Sequence, residues 1–269
     1  MRYQKLFSSL ESAREGAFIP FVVLGDPDKN ASREAVEALI EGGADALELG
    51  FPFSDPLADG PTIQAADNRA LDAGTRIDDC FAIIADVRRA HPEIPIGLLV
   101  YANLIVRRGA EKFFRDALAA GADSLLVADV PVEMSAPFRE ISAKTGLPLV
   151  FIAPPNADEA TLEAVAEFGH GYTYLLSRAG VTGTESRAGV PVDRVLAALK
   201  KFGAPPPVLG FGISEPAQVR AALDAGAAGA ISGSAVVRLI EKHRDDVPAL
   251  RAALRAFAAS MKAAARKAR

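Results

Sequence analysis

The amino-acid sequence predicts an α/β fold, a single (β/α)₈ barrel (TIM barrel), that spans residues 1–269 as one domain. Eight apolar runs recur along the chain, and a segment with helical periodicity follows each of them. The runs are continuous rather than alternating, which is typical of parallel strands that are buried on both faces. Eight strand–helix units in about 250 residues fit a closed barrel better than an open sheet.

The apolar runs are the predicted strands, at residues 18–24, 46–49, 96–101, 124–128, 147–152, 172–176, 208–211 and 228–231. The predicted helices span residues 32–41, 78–90, 110–120, 135–144, 158–168, 192–202 and 215–225, and the eighth begins at 236. Ser32 can cap the first helix, and glycines such as Gly121 and Gly146 end several others. Residues before the first strand, including Phe7 and Leu10, predict an extra N-terminal helix that plugs the bottom of the barrel.

The composition is that of an ordinary globular protein, with 50% hydrophobic and 24% charged residues. The formal net charge of −4 gives no overall field that attracts nucleic acid or anionic lipid, so neither is a predicted partner. No apolar run approaches the roughly 18 residues that cross a bilayer. The single cysteine, Cys80, can form no intramolecular disulfide, which agrees with the predicted cytoplasmic location. The basic tail is interpreted as the solvated end of a helix because no aromatic residues are interleaved with its charges, at Lys262, Arg266, Lys267 and Arg269.

The active site of such a barrel lies at the carboxyl ends of its strands. In the second predicted strand, Glu48 stands between two leucines, where burial raises the pKa of a carboxyl group. A glutamate of this kind can donate and accept protons near neutral pH, or it can form a structural ion pair with an arginine. The residues alone favour neither interpretation.

The loops after several predicted strands have a length or a composition that is common at functional sites. Residues 51–62 form a long loop that carries Asp55 and Asp59, although a lone loop aspartate is more often a turn residue. Glycine-rich segments follow the last three strands, at 177–183, 210–214 and 231–235. Their exposed backbone N–H groups and the helix N-terminus after the eighth strand predict a phosphate site.

Other chemistries lack their usual residues. The three histidines are scattered, no lysine ends a predicted strand, and no Gly-x-Gly-x-x-Gly motif links a strand to a helix. The sequence therefore predicts no metal and no cofactor in this chain. It indicates an acid–base enzyme that acts on a sugar phosphate.

The segment at residues 47–64 reads LELGFPFSDPLADGPTIQ and closely resembles the signature of the tryptophan synthase alpha subunit family. Shorter segments throughout the chain follow the same pattern, among them 101–103, 128–131, 177–183 and 210–213. The chain departs from the pattern at Val23, Leu24 and Ala102, close to the rim of the predicted site.

The resemblance implies a lyase of tryptophan biosynthesis that splits indole-3-glycerol phosphate into indole and D-glyceraldehyde 3-phosphate by a retro-aldol reaction. Glu48 would be the acid–base that protonates C3 of the indole ring, and Asp59 would accept the proton of indole N1. Tyr174 would lie near Glu48, and Thr182 would close over the site beside Asp59. The phosphate would bind at Gly183, Gly212, Gly233 and Ser234. The indole pocket would be walled by Phe21, Leu99, Leu126 and Phe211.

The same resemblance implies an α₂β₂ complex in which indole passes to a β subunit that carries pyridoxal phosphate and makes L-tryptophan from it and L-serine. The matching partner-facing positions are Pro52, Asp55, Asn103 and Pro131. Three alternatives stay open at this point. The chain could be another phosphate-binding barrel enzyme, a subunit kept mainly to activate its partner, or a lyase that works alone.

Overall fold

The computed structural model describes residues 1–176 and 192–266, and within them eight strands form one parallel sheet. The strands are β1 Ala17–Val23, β2 Leu47–Gly50, β3 Ile96–Val100, β4 Ser124–Val127, β5 Phe151–Ala153, β6 Thr173–Leu176, β7 Pro207–Gly210 and β8 Gly229–Ser232. Their order is β4-β3-β2-β1-β8-β7-β6-β5. A parallel bridge between Leu125 and Leu149 joins the two ends of this order, so the sheet closes into the predicted barrel.

Helices surround the strands. They are α1 Arg2–Ala13, α2 Lys29–Glu41, α3 Pro61–Asp72, α4 Ile77–Ala90, α5 Ala102–Arg108, α6 Ala110–Ala120, α7 Ala136–Thr145, α8 Glu159–Phe168, α9 Asp193–Lys201, α10 Pro216–Asp224, α11 Ser234–Lys242 and α12 Val247–Ala264, with a short 3₁₀ helix at Val132–Met134. Helices α3 and α5 were not predicted, and the predicted eighth helix is divided into α11 and α12. None of the helices in the described ranges is long and apolar enough to span a membrane.

The start of α2 corrects one expectation. Asp28, not Ser32, caps this helix, because its carboxylate accepts the backbone N–H groups of Asn30 at 2.8 Å and Ala31 at 3.0 Å. Ser32 lies buried inside the helix, where its Oγ accepts the N–H of Gly25 at 2.9 Å. The serine therefore fixes the turn after β1 rather than the end of α2.

The predicted N-terminal helix is present as α1, and it packs against the amino-terminal end of the barrel. Its Tyr3 is buried, with the hydroxyl 3.2 Å from Ser124 Oγ and the ring 5.5 Å from that of Tyr172. Leu10 is buried and Phe7 packs against the same cluster. These contacts place α1 beneath the strands as a plug.

The side chains of the strands pack into two hydrophobic clusters, one between the strands and the helices and one inside the barrel. In β1, Phe18 and Val22 pack outward with the helices, whereas Ile19 and Phe21 belong to the cluster inside the barrel. In the parallel register Phe21 stands beside Glu48. Glu48 therefore points into the barrel, among apolar side chains.

Candidate active site

Glu48 is buried on the inner face of β2, with 2% of its surface exposed. The hydroxyl of Tyr172 donates a hydrogen bond of 2.6 Å to Glu48 Oε1. Burial raises the pKa of Glu48 to about 7, the Tyr172 hydrogen bond opposes that rise, and the charge of Asp59 adds to it. No cation of the described residues contributes to this pKa. Of the two interpretations left open, the surroundings therefore favour an acid–base group over an ion pair.

Asp59 lies in the loop between β2 and α3 and is also buried. Its backbone N–H donates to Pro56 O at 3.0 Å, so the residue belongs to a turn, yet its carboxylate faces inward. The hydroxyl of Tyr101 donates to Asp59 Oδ2 at 2.6 Å and accepts the N–H of Ala58 at 3.1 Å. Burial raises the pKa of Asp59 to about 6, and the Tyr101 hydrogen bond opposes the rise.

Both carboxyl groups open into one pocket at the carboxyl ends of the strands, with about 490 Å³ of space including its mouth. The lining residues that the sequence predicted are Phe21, Glu48, Asp59, Leu99, Tyr174, Phe211, Gly212, Gly233 and Ser234. Ile63, Ile213 and Ile231 also line the pocket and were not predicted as pocket residues, although the last two lie within the predicted glycine-rich segments. Leu126 belongs to the same interior cluster but lines a neighbouring cavity at the ends of β4 and β5. The apolar majority of this lining suits a flat aromatic ring.

One end of the pocket is suited to an anion. Gly233 is the N-cap of α11 and Ser234 its first residue, so the positive end of the helix dipole faces the pocket. Phe211 and Gly212 have φ values of 68° and 78°, which bend the backbone after β7 around the same end. Thr182 and Gly183 lie outside the described residues, as does the rest of the 177–183 loop.

Three polar side chains near the pocket escaped the sequence analysis of function: Tyr172, Tyr101 and Asp67. The two tyrosines hold the carboxyl groups of Glu48 and Asp59. Asp67 is buried on α3, and its pKa is raised to about 8 by burial and by the charge of Asp59. Within the described ranges, no group of three or more His, Cys, Asp or Glu side chains is arranged to hold a metal ion.

The predicted partner-facing residues follow the carboxyl ends of three strands: Pro52 and Asp55 lie in the loop after β2, Asn103 in the first turn of α5 and Pro131 in the segment after β4. Asp55, Asn103 and Pro131 are exposed there. Pro52 is buried within this chain, and this burial does not support the prediction that Pro52 faces a partner.

The chain is similar in sequence to known proteins. A sequence model of the tryptophan synthase alpha chain matches residues 7–266. The tryptophan synthase alpha chain of Shewanella amazonensis is 60% identical over 263 residues, which cover 98% of this chain and 99% of that protein. That of Escherichia coli O127:H6 is 56% identical over 266 residues and covers 99% of each chain.

Solved structures agree with the sequence relatives. A chain in the structure of Mycobacterium tuberculosis tryptophan synthase superposes with a TM-score of 0.88 at 31% identity, over 99% of both chains. Tryptophan synthase subunit alpha from Legionella pneumophila superposes with a TM-score of 0.88 at 28% identity, over 98% of this chain and 97% of that one.

Proposed function

The chain belongs to the tryptophan synthase alpha chain family, and from that premise we propose how its pocket performs the family's reaction. The enzyme is a carbon–carbon lyase that cleaves indole-3-glycerol phosphate into indole and D-glyceraldehyde 3-phosphate. It works with a tryptophan synthase β subunit in an α₂β₂ complex. The observation that carries the proposal for the site is the placement of two buried carboxyl groups, Glu48 and Asp59, in one apolar pocket.

Glu48 is the group that exchanges protons with the carbon atoms. Its pKa of about 7 leaves a large protonated fraction at neutral pH. The acid gives its proton to C3 of the indole ring. As the C3–C3′ bond breaks, the resulting carboxylate takes the proton of the C3′ hydroxyl, which becomes the aldehyde of glyceraldehyde 3-phosphate. The proton count on Glu48 is restored at the end of the cycle.

Asp59 accepts the proton of indole N1 and later returns it. Its lower pKa, about 6, leaves it ionised when Glu48 still holds a proton. Protonation of C3 places positive charge on the ring, and Asp59 removes the N1 proton to give the neutral indolenine. When the C3–C3′ bond breaks, its electron pair returns to the ring and N1 recovers the proton from Asp59. Two carboxyl groups of unequal acidity therefore complete the cycle without net proton change.

The substrate phosphate is proposed to bind where the α11 N-terminus faces the pocket. The backbone N–H groups at Gly233 and Ser234, the Ser234 hydroxyl and the backbone at Gly212 supply donors for a dianion. Gly183 is proposed to add one more donor and Thr182 to close over Asp59, although both lie outside the described residues. The apolar wall at Phe21 and Leu99 then holds the indole ring.

The remaining assignments complete the proposal. The chemistry above uses side chains and backbone alone, so no cofactor is assigned to this chain, and pyridoxal phosphate is assigned to the β subunit. Residues 1–269 are proposed to form a single domain. A cytoplasmic location agrees with the single buried cysteine, Cys80.

The test measures indole-3-glycerol phosphate cleavage by the purified chain, with and without a cognate β subunit. A coupled dehydrogenase detects the glyceraldehyde 3-phosphate released. We expect slow cleavage alone and a large increase with the partner. Fast cleavage without the partner would instead indicate a lyase that works alone, and no cleavage in either condition would overturn the assignment of the reaction.

The matched variant is Glu48→Gln, which keeps the shape of the side chain and removes its acid. We expect turnover to fall by about 10²-fold to 10⁴-fold, the usual contribution of a positioned proton donor. Circular dichroism and binding to the β subunit should stay unchanged. Comparable turnover by the variant would remove Glu48 from the mechanism.

A further inference from the structure

Asp67 is a buried acid that the mechanism above does not use. It lies on α3 with 3% of its surface exposed. Its Oδ1 accepts the backbone N–H of Phe53 at 3.3 Å. Its Oδ2 is buried and has no hydrogen-bond partner among the residues that the structure describes. An ionised carboxylate in this setting would leave one charged oxygen without solvation.

The charged groups around Asp67 make ionisation still harder. The two that act on it are both carboxylates, Asp59 in the loop after β2 and Asp26 in the loop after β1. Arg69, two residues further along α3, is committed to Asp26 through two hydrogen bonds of 2.7 Å and 2.9 Å. Arg69 also pairs with Glu241 of α11. Within the described residues, no cation acts on Asp67 itself.

A chain of contacts connects Asp67 to the pocket. Asp67 anchors the backbone of Phe53. The Phe53 ring packs against the Tyr101 ring, with centroids 5.1 Å apart and planes 30° apart. Tyr101 donates the hydrogen bond that holds Asp59. A shift of Phe53 would therefore move the hydroxyl that orients the Asp59 carboxylate.

We propose that Asp67 is a positioning residue that acts as a neutral carboxylic acid, anchoring Phe53 while the negative charge of the Asp59–Asp67 pair stays on Asp59. This inference rests on the proposed role of Asp59. Of two neighbouring carboxyl groups, the better solvated one ionises first and the other keeps the proton. Tyr101 donates to Asp59, whereas Asp67 receives, from the residues that the structure describes, only the long bond from Phe53, so the proton resides on Asp67.

The first test compares two variants of nearly the same shape. Asp67→Asn stays neutral at every pH and can still accept the Phe53 N–H, so we expect kcat within about threefold of the parent enzyme. Asp67→Leu cannot accept that bond, and we expect kcat to fall by about tenfold or more with little change in KM, because orientation rather than binding is lost. Thermal unfolding of both variants would show whether each is folded at the assay temperature.

The second test uses the acid limb of the pH profile of kcat/KM, which reports Asp59. If Asp67 is neutral there, Asp67→Asn removes no charge and the midpoint should move by less than about 0.3 pH units. If Asp67 were ionised, removing its charge would lower the midpoint by about one unit or more. That lower midpoint, or a Leu variant as active as the Asn variant, would overturn the proposal.

A third measurement does not depend on activity. The infrared spectrum of the α₂β₂ complex at pH 7 should contain the C=O stretch of a protonated carboxylic acid. Subtracting the spectrum of Asp67→Asn from that of the parent enzyme should reveal this band, because the variant lacks the acid. The same spectra of Glu48→Gln separate the contribution of Glu48. Persistence of the full band in Asp67→Asn would contradict the neutral state. Failure of the parent enzyme to cleave substrate would overturn the proposed function but leave this spectroscopic result interpretable.

Discussion

Two single residues decide how the rate of cleavage depends on pH, because the proposed reaction needs Glu48 protonated and Asp59 ionised. The pKa values of about 7 for Glu48 and about 6 for Asp59 therefore predict a bell-shaped dependence of kcat/KM. Activity should fall about tenfold per pH unit below the Asp59 value, and likewise above the Glu48 value. Steady-state rates between about pH 5 and pH 9 at constant ionic strength test this. A profile that stays flat to alkaline pH would contradict the assignment of Glu48 as the acid.

The tyrosine that holds Glu48 allows a finer prediction. The Tyr172 hydrogen bond stabilises the ionised form and so lowers the pKa of Glu48. In Tyr172→Phe we therefore expect the alkaline limb of kcat/KM to move to higher pH while the acid limb stays in place. Tyr3→Phe is the matched control, because it removes a buried hydroxyl that bonds to Ser124 rather than to Glu48. Equal shifts in both variants would mean that general repacking, not the hydrogen bond, is responsible.

Local sequence singled out Glu48, and the family resemblance singled out Asp59, but neither predicted the partners of these carboxyl groups. Glu48 is recognisable because a charged residue between two leucines in a strand is costly to bury. Tyr172, by contrast, is 124 residues away from Glu48, and Tyr101 is 42 residues away from Asp59. Only the closure of the barrel brings these side chains together, and a buried tyrosine in an apolar run is otherwise unremarkable.

Among the elements, the strands were easier to predict than two of the helices. The strands are predominantly apolar because one set of their side chains faces the helices and the other faces the barrel interior. Helix α3 begins at Pro61, inside a loop rich in Pro, Asp and Gly, and α5 spans only Ala102–Arg108 directly after β3. Such short or loop-flanked helices give little periodic signal. Missing α3 also meant missing Ile63 and Asp67.

A substitution at the N-terminus of α11 should change the stability of the protein and its binding of substrate in opposite directions. In Ser234→Asp, a negative charge at the first position of the helix should stabilise the isolated helix end by about 0.3–1 kcal/mol through the dipole. The same charge would repel the substrate phosphate. We therefore expect KM for indole-3-glycerol phosphate to rise by tenfold or more while the melting temperature holds or increases.

The control for that experiment is Ser234→Ala, which removes only the hydroxyl. A lost hydrogen bond to a charged group costs about 1.5–3 kcal/mol, so KM should rise by about 10-fold to 100-fold without added repulsion. The Asp variant should therefore be the weaker binder of the two. If neither variant changed KM, the phosphate would have to bind elsewhere.

At the amino-terminal end of the barrel, a cation joins distant parts of the chain. Lys262 lies on α12, and its Nζ is 2.9 Å from Oε2 of Glu15, which precedes β1. The same Nζ is 2.9 Å from Oδ1 of Asp45, which precedes β2. Asp45 also accepts the backbone N–H of Phe18 at 2.8 Å. Burial raises the pKa of Asp45, and Lys262 opposes that rise. The prediction that the basic tail is a solvated helix end is wrong for Lys262, because its side chain is only 15% exposed.

Lys262→Met should separate the stability of the barrel from its chemistry. The variant leaves the Asp45 charge partly buried without its cation, and we expect the free energy of unfolding to fall by about 1–3 kcal/mol at neutral pH. The loss should shrink at acid pH, because a protonated Asp45 needs no counterion. Lys5→Met is the control: its ion pair with Glu93 is exposed on both sides, so the change should be below about 0.5 kcal/mol. Because Lys262 lies at the opposite end from the pocket, kcat well below the melting temperature should be unchanged. A large loss of kcat in the folded variant would mean that the two ends of the barrel are coupled.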